Sequence, residues 1–178
     1  MITAIYADGG VIGASRSEIG GMYAWCHVDA ADRRIAHDSG LVLPHEVDLP
    51  TVTNNLTEFI ALLQAMEALP AGWRGTVHSD SWITLQRFFR GAKLNGIPQP
   101  LITRLRALHQ RFAMAQMPYV LLDGHPTREQ LATGIGKRGN PVSQHNVWCD
   151  RACGKVGREY ADAQRLAQLT SQYQGGAT

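Results

Sequence analysis

No stretch of this chain approaches the roughly 20 consecutive apolar residues that a membrane-spanning helix needs, and no membrane partner is expected. The N-terminus lacks a basic segment followed by an apolar block and a cleavage site, which argues against a secretory signal. Cysteine is scarce. Cys26, Cys149 and Cys153 leave one thiol unpaired in any disulfide scheme, so a reducing, cytoplasmic setting is expected. There is no internal repeat and no linker. What remains is ordinary globular material: 178 residues, 44% hydrophobic and 18% charged, enough for one domain with a real core. A single domain over residues 1–173 with a flexible tail at 174–178 is expected, and a monomer.

The net charge of +2 hides an asymmetry. Residues 1–90 carry six Lys/Arg against ten Asp/Glu, and residues 91–178 carry eleven against five. A basic half suits a polyanion, while cations can offset the acidic half. An unevenly charged, solvated surface would look the same.

Hydrophobic patterning orders the elements. Residues 2–8, 22–28 and 33–42 read as strands, the last two joined by a short turn and so an antiparallel hairpin. From Asn54 the period changes: Phe59, Leu62, Leu63, Met66 and Leu69 follow helical spacing until Pro70 stops it. A strand over 74–79, a helix over 81–89, a helix over 101–115 and a strand over 117–122 follow. Residues 126–144 are rich in Gly and Pro and read as a long loop or a partly helical excursion. A final helix starts near His145 and runs toward Gln172. This order predicts an α/β fold with a mixed five-stranded sheet, an antiparallel trio followed by parallel strands, flanked by helices.

Four acidic residues stand out on this frame. Asp8 closes the first strand before Gly9, and Asp80 closes a later one between Ser79 and Ser81. Glu58 lies one turn into an apolar helix, after Thr53-Asn54-Asn55, and Asp150 sits early in the last helix. Each has a structural explanation: Asp8 as a turn residue, Glu58 as a capping-box acid, Asp80 as a helix cap, Asp150 as a first-turn acid beside a helix dipole. Carboxylates at the ends of hydrophobic strands are costly to bury without a cation. A cluster of four suits hard divalent ions, which in pairs catalyse phosphodiester hydrolysis.

The pattern strand-Asp8-Gly9, Thr53-Asn54-Asn55-x-x-Glu58, Ser79-Asp80-Ser81 and Cys149-Asp150 resembles the type 1 ribonuclease H family. Gly20-Gly21 at the second strand and Gly124-His125 after the fifth match it too, so the resemblance covers roughly residues 2–160. It implies an endonuclease that hydrolyses the RNA strand of RNA–DNA hybrids. The metal ligands would be Asp8, Glu58, Asp80 and Asp150, holding two Mg2+ ions with Mn2+ as a substitute. Asp8 is the candidate bridge between them. His125 would be the mobile acid–base group, and Gly9, Thr53, Asn54 and Asn55 would contact the hybrid.

The chain also departs from the family pattern. Twenty-five residues separate His125 from Asp150, where the family has a shorter connection, so an insertion is expected at about 126–144. Trp82 stands where a polar residue is frequent. Thr51 replaces a basic residue, and Lys93 is the only lysine between Ser81 and Ala115. Two other functions fit the same fold: a junction- or structure-specific DNA nuclease, and a hybrid-binding module without turnover. His145, Cys149 and Cys153, spaced by four, suggest a zinc face. A fourth ligand is missing and one straight helix cannot make three ligands converge, so core packing is the expectation there.

Overall fold

The computed structural model describes residues 1–175. The first strand, β1, is Ile2–Val11, and a two-residue strand β2 is Arg16–Ser17. The long hairpin is β3, Gly21–Asp29, and β4, Arg34–Val42. A second short strand, β5 (Val52–Thr53), leads directly into α1, Asn54–Glu67. Then come β6 (Thr76–Ser79), α2 (Trp82–Phe89), α3 (Gln99–Arg111), β7 (Tyr119–Leu121), α4 (Arg128–Thr133) and the long α5 (Gln144–Gly175). Five strands form one sheet in the order β4-β3-β1-β6-β7. The pairs β4/β3 and β3/β1 are antiparallel, and β1/β6 and β6/β7 are parallel. This is the mixed sheet expected from the sequence.

Local chemistry sets the element ends. Thr53 caps α1, its hydroxyl accepting from Leu56 N at 3.3 Å. Ser81 caps α2 in the same way through Thr84 N at 3.3 Å, and a proline sits in the first turn of α3, where its missing N–H costs nothing. In the hairpin turn, Asp29 accepts from the backbone of Ala31 and Arg33 and from the Arg33 guanidinium.

Two cores form, one on each face of the sheet. On one side Ile5, Ala7 and Trp25 meet α1, α2 and α3 through Leu56, Phe59, Leu62, Leu63, Met66, Phe88 and Leu105. All the residues of the helical spacing in α1 are buried there. The other side is smaller, with Tyr6, Met22, Ala24, Cys26 and Val28 under Cys149 and Cys153 of α5. Alternation along β3 sends successive side chains to opposite cores.

Several expectations are corrected. Asp8 does not end β1: Gly9, Gly10 and Val11 stay paired with Tyr23, Met22 and Gly21, because the antiparallel partner continues. The connection 43–52 holds a 3-10 turn at Pro44–Glu46 and the strand β5, which pairs with β2 as a separate two-stranded sheet. The excursion 126–144 is partly helical, one of the two forms expected of it, and contains the short helix α4. Of the tail expected at 174–178, residues 174 and 175 continue α5 and 176–178 lie outside the described residues.

Candidate active site

The parallel half of the sheet delivers two carboxylates. Asp8 lies two residues beyond Tyr6, the last residue of β1 paired with β6. Asp80 directly follows Ser79, the end of β6. Since β1 is antiparallel to β3 and parallel to β6, the chain changes connection sense here, and open α/β sheets bind ligands in such crevices. Alternation puts Asp8 on the same face as Tyr6, toward α5, which supplies Asp150.

Glu58 arrives from α1. Gly9 makes that approach possible, since a Cβ there would overlap the backbone of Thr57 and Glu58. The Ser81 hydroxyl donates to Glu58 Oε2 at 2.6 Å, tying α1 to the start of α2. Gly124, after β7, packs so closely on Asp80 that a Cβ would collide with its carboxylate oxygen Oδ2.

The structural explanations for these acids do not hold in place. Glu58 bonds Ser81 rather than closing a capping box on α1. The cap of α2 is the Ser81 side chain, not Asp80. Asp150 is the seventh residue of α5, beyond its first turn.

Electrostatics bind the four acids into one group. Burial pushes Asp8 well above the usual carboxylate range, and the charges of Asp80, Glu58 and Asp150 push it further, against the Gly9 N–H that donates to it at 2.7 Å. Glu58 is raised to about 7, chiefly by burial, with Ser81 opposing and Asp80 assisting. Asp80 is raised as well, again first by burial. Among the described residues no Lys or Arg forms an ion pair with any of the four.

Asp8, Asp80, His125, Asn146 and Asp150 line a common cavity of about 250 Å³. His125 stands at its mouth, Nδ1 3.8 Å from Asp150 Oδ1, in a left-handed backbone conformation with φ of 50°. Among the described residues, no three His, Cys, Asp or Glu side chains are gathered closely enough to enclose an ion in this conformation. Glu58 is turned to Ser81, and Asp80 to Asn146. The donor set itself, hard carboxylate oxygens that repel one another and that no Lys or Arg ion-pairs among the described residues, fits a hard divalent ion, although Arg151 lines the cavity and Arg87 acts on Glu58 from a distance.

Asn146 is the residue that reading the sequence missed. Its Nδ2 donates to Asp80 Oδ2 at 3.2 Å, it is 3% exposed, and its Oδ1 is buried without a hydrogen-bond partner. The available signal was its position four residues before Asp150, one turn away on the same helix face.

The remaining expected contacts lie elsewhere. Thr53 and Asn55 line a second groove of about 340 Å³, with Arg16, Arg87 and Asn95. Asn54 is exposed beside it, and Gly9 is covered by α1. Arg16 reaches this groove because β2 pairs it with Thr53. Trp82 is 54% exposed at the first position of α2, two residues after Asp80.

The zinc face is core, as expected. Cys149 and Cys153 are buried against the sheet, donating to the carbonyls of Tyr6 and Asp8 at 3.7 and 3.6 Å. His145 turns to Asp32 at 2.8 Å.

No protein-family model matches the chain, and no curated protein matches it. Solved structures do. The N-terminal ribonuclease H domain of a Mycobacterium tuberculosis protein, solved as a maltose-binding-protein fusion, is 17% identical with a TM-score of 0.59, covering 92% of this chain and 99% of that one. LC11 ribonuclease H1, isolated from compost by a metagenomic approach, is 16% identical with a TM-score of 0.59, covering 90% and 99%. The structure of LC11 ribonuclease H1 in complex with an RNA/DNA hybrid aligns at 17% identity and a TM-score of 0.51, covering 77% and 92%. At these identities the likeness is one of architecture, and with the strand order β4-β3-β1-β6-β7 it establishes that the chain carries the ribonuclease H-like fold.

Proposed function

We propose that this protein is a metal-dependent endonuclease that hydrolyses the RNA strand of RNA–DNA hybrids. The observation that carries this reading is that Asp8, Asp80 and Asp150, from three separate elements, line one cavity, with Glu58 of α1 adding its charge to Asp8 and, among the described residues, no Lys or Arg ion pair to any of the four. The hybrid bound to a solved neighbour of the same fold supports the choice of substrate.

In this reading Asp8, Glu58, Asp80 and Asp150 would hold two Mg2+ ions, or Mn2+ in their place, which would supply positive charge for the attacking water and the leaving oxygen. Asn146 fixes the Asp80 carboxylate through its amide. Ser81 does the same for Glu58. His125, beside Asp150, delivers a proton to the departing 3′ oxygen, with its side chain 82% exposed at the cavity mouth. Thr53, Asn54, Asn55 and the backbone at Gly9 contact the hybrid, and Arg16 and Arg87 give the Thr53 groove positive charge for a phosphate. The asparagine amides suit ribose 2′-hydroxyls. The working form is a cytoplasmic monomer.

Cleavage assays with a labelled hybrid, duplex DNA and a four-way junction, each with Mg2+ and with Mn2+, test this. The expected result is cutting of the RNA strand only, abolished in Asp8→Asn while hybrid binding persists. Cutting of the junction or the duplex instead makes the protein a DNA nuclease. Binding without turnover in the wild type with either metal makes it a hybrid-binding module.

A further inference from the structure

The segment between His125 and α5 holds the short helix α4 and returns to its own starting point. Asp123, two residues past the end of β7 and 2% exposed, receives three hydrogen bonds from the far end of the segment. Arg138 N donates to Oδ2 at 2.6 Å, Arg138 Nε to Oδ1 at 2.7 Å and Asn140 Nδ2 to Oδ1 at 3.0 Å. The Asp123 N–H in turn donates to the Pro141 carbonyl at 2.9 Å. Ile135 and Pro141 form a β-bridge, Val142 N donates to Gly134 O, and a Thr127–Gln130 capping box closes the start of α4. Burial alone would raise the Asp123 pKa, but the bonds from Arg138 and Asn140 hold it below the usual carboxylate range. The excursion is therefore a closed, buckled loop.

His125 sits between that buckle and Pro126. Its φ of 50° is unfavourable for a residue with a Cβ, and a following proline restricts it further. Such a conformation persists only where the surroundings over-determine it. The chain before it is fixed by Asp123 and the chain after it by α4, so the loop closure holds His125 at the mouth of the carboxylate cavity, 3.8 Å from Asp150.

We infer that Arg138 and Asp123 are positioning residues: their buckle, built from the insertion, sets the His125 side chain against Asp150. This rests on the proposed function only for what His125 then does. The Arg138 side chain does not line the cavity, so it acts through His125 rather than on the substrate.

Two measurements on the full-length protein test it. The first is a double-mutant cycle in hybrid cleavage with Arg138→Ala, His125→Ala and both together. Arg138→Ala should lower kcat about tenfold, part of the roughly hundredfold or more that a well-positioned proton donor contributes, with KM unchanged and no further loss in the His125→Ala background. Equal losses in both backgrounds, or wild-type kcat in Arg138→Ala, overturn the inference. The second needs no catalysis: imidazole NMR signals of the seven histidines, with His125 assigned by its absence in His125→Ala. Arg138→Ala should shift or broaden the His125 signal and leave His27, buried on the far face of the sheet, in place. An unmoved His125 signal overturns the inference even if the wild type cuts nothing, in which case the nuclease reading fails on its own. Asp123→Asn serves as a second variant, and thermal melting of each confirms a folded sample.

Discussion

The two faces of the sheet are built from different material. Toward α1, α2 and α3 the contacts are large and dry: Phe59 against Phe88 at 5.0 Å between ring centroids, with leucines around them. The one buried imidazole there, His27, is satisfied by the Ala65 carbonyl at 2.8 Å. Toward α5 the layer is thinner and more polar: thiols, Tyr6, His145 and Asn146, with Asp8 inside β1. One face can hold the fold while the other holds charges that repel one another. The lesson is a division of labour: the apolar face tolerates the acidic one because it does not depend on it.

The sharpest test of that division is Asp8→Asn. It should cost at least about a thousandfold in hybrid cleavage, on the scale of losing a preorganised electrostatic group, and should raise the melting temperature by removing a buried like charge. A fall in stability would mean that the acidic face also holds the fold. Conversely, Phe59→Ala should destabilise by about 3–5 kcal/mol in urea while the folded fraction keeps its specific activity. Loss of activity without loss of stability would break the comparison from the other side.

Glu58 gives a third handle. It holds its proton more tightly folded, at about 7, than at its ordinary 4.5. Its contribution is thus fully present below about pH 4.5 and is lost as pH rises through 7, on the order of 3 kcal/mol. Asp8 and Asp80 shift in the same direction. Metal-free protein should therefore melt lower at pH 8 than at pH 5 in calorimetry, and Mg2+ should raise the melting temperature more at pH 8. Equal gains at both values would place the ion away from these acids. The smallest expected effect is Asn146→Ala, about tenfold in kcat with little change in hybrid KM, because it frees Asp80 without removing a ligand. A stopped assay at saturating hybrid reads it directly.

Much of this arrangement was legible in the sequence, for a physical reason. Strand ends and helix turns are local, so Asp8-Gly9, Asn55-x-x-Glu58 and Ser79-Asp80 announced themselves by neighbours that constrain the same few dihedrals. The apolar spacing from Phe59 to Leu69 mapped onto one core without exception. What escaped reading depends on contacts between distant segments. Asn146 meets Asp80 across 66 residues, and the β2–β5 pair joins Arg16 to Thr53 with no hydrophobic pattern to mark it. The continuation of β1 past Asp8 is dictated by its partner β3, since Gly-Gly is a turn signal in isolation.

The three thiols carry a practical consequence. Cys26, Cys149 and Cys153 are all buried between α5 and the sheet, and burial drives the Cys149 and Cys153 thiols toward the unreactive protonated form. An alkylating reagent can reach them only when that helix lifts. The speed of labelling is thus a built-in clock for the detachment of α5, one that runs without an added probe and can be read by mass spectrometry, one cysteine at a time.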